Sequence, residues 1–289
     1  MDPMLTAPEL TTVEHALGRF HALEGLRGQG HIKPLHQYVA MRLVVEGGFL
    51  PDEVTPHPPL IAKRSSGSWF LEIDEGAANV REETVLGGLK TKNVDVAVAK
   101  DRIGPVVCVS IKGTGNAFRN LTNRMEEAIG DCTNLHMTYP AMVYAFLHLI
   151  KCNRQNEPGV KPNDVSIDCA GCATDAVARY HDVLEGLTGR ELVRNEISKY
   201  EAVALLMVEQ IADAACTFPS FPPANSMARF SDFFPRVYGI YDRRFPYVAP
   251  SMHQTERVAW AETSPAFNGL MTATGRELAS VFDYEPRLA

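Results

Sequence analysis

No uncharged stretch of the chain reaches the ~18 apolar residues needed to cross a bilayer, so no membrane span is expected. The opening Met1-Asp2-Pro3-Met4 carries no basic segment followed by an apolar core, and no signal peptide is expected either. Repeats and low-complexity segments are absent, as are a Walker loop and a Gly-x-Ser-x-Gly elbow. Excess positive charge is lacking too: the net charge is −7, which excludes a generic polyanion binder. Cysteine is sparse. Six are scattered at 108, 132, 152, 169, 172 and 216, mostly in apolar or helical stretches, as reduced thiols of a cytoplasmic protein would be. Cys169-Ala-Gly-Cys172 has the spacing of half a zinc site, but no second pair follows.

What the chain does have is ample apolar content, 45 % of 289 residues, enough for one substantial core. Val13, Leu17 and Phe20 recur at helical spacing after Thr11 and Thr12, and Pro34 opens a second helix that runs to Gly47-Gly48. A proline-rich loop leads to a short strand at Trp69–Ile73. Val94, Val96 and Val98 alternate with Asp95, Ala97 and Ala99, the period of a strand. A tight turn at Asp101–Gly104 joins this strand to Val106–Ile111, which is apolar on both faces, as a central strand would be.

A helix is predicted over 117–138, a strand over Met142–Ile150, a helix beginning at Asp168 and a strand over Val203–Val208. The order α, β, β, β, α, β, α, β predicts an α/β fold with a mixed central sheet flanked by helices. The expected regions are an N-terminal helical part (1–60), an α/β core (61–215) and a C-terminal extension (216–289) packed on it, all within one globular unit. His136 and His148 fall on apolar elements and read as core residues.

The chemistry-bearing residues gather between 81 and 127. Eight Lys/Arg stand against four acids over 81–124, a local charge of +4 suited to phosphates. Asp95 lies on one strand of the expected hairpin, and Ser110 and Lys112 share a face of the next, about 7 Å apart. Glu126 and Glu127 follow on the helix, on opposite sides of its buried face, so periodicity does not choose between them. Glu82-Glu83 precede the hairpin and read as a solvated loop pair or an extra metal carboxylate. Asn116, Arg119, Asn120, Asn123 and Arg124 give the helix start a polar, partly cationic face suited to phosphate contacts. Arg243 and Arg244, among tyrosines in the C-terminal part, could contact bases or belong to a packed hairpin or helix. Gly113-Thr114-Gly115 resembles the start of a dinucleotide loop, but Phe118 occupies the third glycine position.

Asp95, then Ser110-Ile111-Lys112, then a glutamate 14 residues beyond the lysine resembles the PD-(D/E)xK, or restriction-endonuclease-like, nuclease superfamily. The match covers roughly residues 69–210. It is to the variant with Ser-x-Lys on the strand and the missing carboxylate on the following helix, which favours Glu126 over Glu127. Asp95 stands closer to the triplet than the first acid does in that subgroup. The resemblance implies a metal-dependent, sequence-specific endonuclease acting on double-stranded DNA, of the type II restriction class or a repair nuclease of the same fold. A DNA-binding or assembly module that no longer cleaves is the alternative. Mg²⁺, or Mn²⁺, would be held by Asp95, Glu126 and the Ile111 carbonyl, with Lys112 acting on the attacking water and Ser110 as a polar neighbour. A palindromic site would imply a homodimer or higher homo-oligomer.

Overall fold

The computed structural model describes residues 4–22, 30–116, 121–212, 214–246 and 250–289. In chain order the elements are α1 (Glu14–Ala22), α2 (Lys33–Val45), β1 (Val54–Thr55), β2 (Leu60–Ser65), β3 (Ser68–Ile73), β4 (Glu83–Leu86), β5 (Thr91–Val94), β6 (Val96–Lys100) and β7 (Gly104–Thr114). They continue with α3 (Leu121–Thr138), β8 (Val143–Lys151), α4 (Asp175–Gly186), β9 (Ala202–Ile211), β10 (Ala214–Thr217), α5 (Phe230–Arg244), α6 (Pro265–Thr274) and α7 (Leu278–Val281). Six strands form one mixed sheet in the order β1-β6-β7-β8-β9-β10. β6 and β7 are antiparallel, β7, β8 and β9 are parallel, and β10 returns antiparallel to β9. The turn between β6 and β7 places Arg102 and Gly104 at positive φ, a tight reversal of the kind expected there.

The α/β class follows from the burial of the central strands on both faces. Val107, Val109 and Ile111 of β7 pack with α1, α2 and α5, while Cys108 packs with α3 and α4. The connections β7-α3-β8 and β8-α4-β9 supply the long crossovers that parallel neighbours require. Phe20, Val39, Val109 and Phe234 belong to a single apolar cluster, so the N-terminal helices, the sheet and the C-terminal helix close over one core. A Cβ on Gly113 would run into the Phe20 ring. That close approach, rather than a phosphate, explains the glycine, and the apparent dinucleotide loop begins inside β7.

Several elements differ from the sequence reading. The alternating run at 94–98 is not one strand: the chain bends at Asp95, Val94 turns to the α3 side, and Val96 and Val98 face α2. β5 pairs with β4 in a separate two-stranded ribbon, whereas β6 joins the main sheet. α4 starts at Asp175, not Asp168. Asp168 instead caps a turn, its Oδ1 accepting the amide N–H groups of Ala170 and Cys172 at 2.9 and 2.8 Å, with Gly171 at positive φ. The expected helix over 117–138 is described from Leu121, and residues 117–120 lie outside the described residues. The aromatic and arginine-rich C-terminal segment is helical, as α5.

One buried carboxylate ties these elements together. Glu201, at the entry to β9, accepts from Arg190 Nη1 at 2.5 Å, Arg244 Nη1 at 2.6 Å and the Tyr144 amide at 2.8 Å, with His136 Nε2 at 3.3 Å. Burial alone would raise its pKa. His136, Arg244 and the Tyr144 N–H outweigh that and hold it below the usual carboxylate range. Replacing Glu201 with Ala leaves two guanidinium groups without their anion in a dry site. The expected loss is about 3–5 kcal/mol in chemical denaturation; a change below ~1 kcal/mol would show that the network is dispensable.

Candidate metal centre

The β6–β7 register pairs Val96 with Val109 and so leaves Asp95, one residue before β6, beside Ser110. Asp95 Oδ2 accepts the Ile111 amide at 2.6 Å and the Ser110 hydroxyl at 3.2 Å, and Lys112 Nζ stands 3.8 Å away. Two further groups arrive from opposite directions. The β4–β5 ribbon pairs Glu83 with Val94, so Glu82 and Asp95 flank its base. The first turn of α2, opened by Pro34, carries His36. One ligand atom from each of His36, Glu82 and Asp95 lies within 4.8 Å of the others.

His36 Nε2 and Glu82 Oε1 are buried atoms with no hydrogen-bond partner. Burial is the main reason that the His36 pKa falls to about 4; Lys112 adds to the effect and Asp95 opposes it. The imidazole is therefore neutral near pH 7, the form that ligates metals. Among the described residues this is the only group of three His, Cys, Asp or Glu side chains able to surround an ion. Unpaired buried polar atoms are costly, and a divalent cation would satisfy both orphaned atoms, so the residues fit a metal.

On the other side of Lys112 lies a small cavity under α3, lined in part by Ser110, Lys112, Arg124, Glu127 and His148. Glu127, and not Glu126, lines this cavity, although both glutamates are exposed. Neither glutamate belongs to the His36, Glu82 and Asp95 group. The His148 Nε2 lies 3.2 Å from the Thr114 hydroxyl, and its ring stacks on Tyr180. Burial, with Arg124 and Lys112 nearby, lowers its pKa to about 3.

The expected nucleic-acid contacts divide. Asn116 and Asn123 are exposed near the start of α3, and Arg124 is half-buried in the cavity wall, whereas Arg119 and Asn120 lie outside the described residues. Arg244 is not available to DNA. Its guanidinium binds Glu201 and the carbonyls of Met142, Arg190 and Glu191. Those contacts sit at the start of β8, whereas Lys112 pairs with His148 six residues later, about 20 Å along the strand. Arg243 is exposed, but it adjoins Arg244 at that far end. The basic strip is also uneven, because Lys92 pairs with Asp131 and Lys100 is buried on Glu53, leaving Arg81, Lys90 and Arg102 exposed.

His36 was not singled out by sequence. The only signal is its place in a helix buried on all sides, together with Gln37 and Arg42, where a polar residue needs a partner. Cys169 and Cys172 are exposed free thiols. No family model, curated protein or solved structure matches the chain.

The buried His148 makes stability depend on pH. Its folded pKa is about 3, against ~6.5 for an unfolded histidine. As pH falls below ~6.5 the unfolded chain takes the proton first, so stability drops between ~6.5 and 3 with a limiting slope of ~1.4 kcal/mol per pH unit. His148→Leu should remove that slope from the difference between pH 7.5 and pH 5 in denaturant titrations. Parallel losses in wild type and variant would contradict the assignment.

Proposed function

We propose that this chain hydrolyses phosphodiester bonds in duplex DNA with a divalent cation, as a sequence-specific endonuclease. The observation that carries the reading is the convergence of His36, Glu82 and Asp95 within 4.8 Å, with a lysine 3.8 Å from Asp95. The antiparallel β6–β7 pair followed by α3 and the parallel β8 supports a restriction-endonuclease-like core. The departure at Ser110 is also accommodated, since Glu82 and Glu127 place carboxylates on either side of the serine.

In this reading His36, Glu82 and Asp95 would hold the cation, and Ile111 and Ser110 hold Asp95 in place through the bonds described above. A bound Mg²⁺ or Mn²⁺ would supply Lewis acidity, making water a better nucleophile and neutralising phosphate charge. Lys112 orients the attacking water and donates to the phosphate oxygens as negative charge builds on them. Glu127, which lines the same cavity as that lysine, would add a carboxylate beside the attacking water. Arg81, Lys90 and Arg124 contribute positive charge for the phosphate backbone.

Incubation of the purified protein with mixed-sequence plasmid should give metal-dependent fragments that EDTA abolishes. Asp95→Asn and Lys112→Ala should each cut at least about a hundredfold more slowly, with duplex affinity largely retained in the lysine variant. Glu127→Gln should be more harmful than Glu126→Gln; the reverse order would restore Glu126 to the site. Full activity in Lys112→Ala would overturn the assignment.

An imidazole in the ligand set also favours Mn²⁺ over Mg²⁺, which prefers oxygen alone. Wild type should therefore cut faster in Mn²⁺, and His36→Ala should narrow the difference between the two metals. Equal rates in both metals would remove His36 from the set.

A further inference from the structure

The β4–β5 ribbon has two unlike faces. Glu83, Val85, Lys92 and Val94 face the protein, where Val85 and Val94 join the cluster under α3 and Lys92 pairs with Asp131. The other face presents Thr84, Leu86, Thr91 and Asn93, all exposed, in the cross-strand pairs Thr84–Asn93 and Leu86–Thr91. Beyond them, at the turn, stand Leu89 and Lys90. Leu86 is 61 % exposed and Leu89 78 %, and Leu89 is the most exposed large apolar side chain among the described residues.

The exposed tip is not loosely held. Asn134 of α3, itself buried, accepts the amides of Leu89 and Lys90 on Oδ1 at 2.8 and 3.1 Å, donates Nδ2 to the Lys90 carbonyl at 2.9 Å, and accepts the Gly88 amide on its own carbonyl at 2.8 Å. A Cβ on Gly87 would collide with the Asn134 side chain, so the glycine is what lets the turn close on it. Two leucines held out in water by so specific an anchor are a presented surface rather than a frayed one.

The ribbon's place in the molecule says what it is presented to. Glu82 and Asp95, two of the three cation ligands, flank its base. Four residues of strand reach about 13 Å from there. The major groove of B-DNA is about 12 Å wide and admits a two-stranded ribbon. Hydroxyl and amide side chains hydrogen-bond base edges, a leucine packs on a thymine methyl, and Arg81 at the base and Lys90 at the tip meet the flanking phosphates. Three hydrogen-bonding side chains around one leucine are too polar for the apolar centre of an interface between copies.

We propose that the outward face of the β4–β5 ribbon is the base-reading element of this protein, entering the major groove of duplex DNA beside the phosphate held at its base. This assignment rests on the phosphodiesterase reading of that site. It makes Thr84, Leu86, Thr91 and Asn93 specificity determinants within a few base pairs of the cut.

The test is cleavage of a random-sequence duplex library in Mn²⁺, with sequencing of the new ends, by wild type, by Thr84→Ala/Asn93→Ala and by Leu86→Ala/Leu89→Ala. All four substituted positions are exposed, so thermal unfolding should be unchanged. Wild type should show a base preference near the cut, and at least one variant should weaken it about tenfold at one or more positions. Wild-type cutting with no preference, or variants with the wild-type preference, would overturn the ribbon assignment and leave the nuclease reading intact. A change in sedimentation mass with preference unaltered would make the ribbon an interface between copies, which also overturns it. A wild-type chain that neither cuts nor binds duplex would overturn both.

Discussion

Glu201 sits where four parts of the chain have to agree. Its two oxygens take hydrogens from the loop at Arg190, the end of α5 and the start of β8, with the end of α3 alongside. No apolar contact could impose this, because apolar packing is non-directional and would tolerate a shifted register. A buried carboxylate facing two guanidinium groups does not tolerate it, since any misplacement leaves a charge unpaired in a dry interior. The parallel strands, α3 and α5 are therefore fixed relative to one another at one end of the sheet.

The opposite end is built on contrary terms. There Asp95 is held by the Ile111 amide and the Ser110 hydroxyl, Glu82 Oε1 and His36 Nε2 lack hydrogen-bond partners, and Lys112 supplies a cation 3.8 Å from Asp95. At one end of the sheet a carboxylate faces two guanidinium groups, and at the other two carboxylates and an imidazole face a lysine. The charge network around Glu201 fixes the parallel strands beside which the His36, Glu82 and Asp95 group sits, and a site built on such rigid elements holds its geometry.

Much of this architecture is legible in the sequence where a single element decides its own fate. The doubly apolar runs of β7, β8 and β9, the turn at Asp101–Gly104 and the helices around Leu17 and Val39 are local patterns, and they predict their elements. Asp95 near Lys112 follows from the hairpin alone. The bend at Asp95 does not, because Val94, Val96 and Val98 keep a strand's alternation although the chain passes there from one sheet to another. His36 is illegible for a different reason: its meeting with Asp95 is a tertiary contact, and α2 is buried so completely that no polar face marks one side of it. Arg244 shows the opposite failure. An arginine among aromatics looks available for nucleic acid, and only the fold reveals Glu201 beside it.

The helix that carries His36 is clamped by segments far along the chain. Val258 N–H bonds the Gly48 carbonyl, Trp260 Nε1 bonds Val44, Arg287 N–H bonds Val45, and Asp283 receives both the Val13 amide and the Tyr38 hydroxyl. During synthesis α2 emerges early, yet these partners emerge more than two hundred residues later. Contacts of such long sequence separation form late in folding because the loop between them must close first. The clamp that fixes His36 beside Glu82 and Asp95 is therefore a late event in folding. The clamp on this helix closes only after translation has passed residue 287, so the surroundings of His36 are settled by the last segment of the chain to be made.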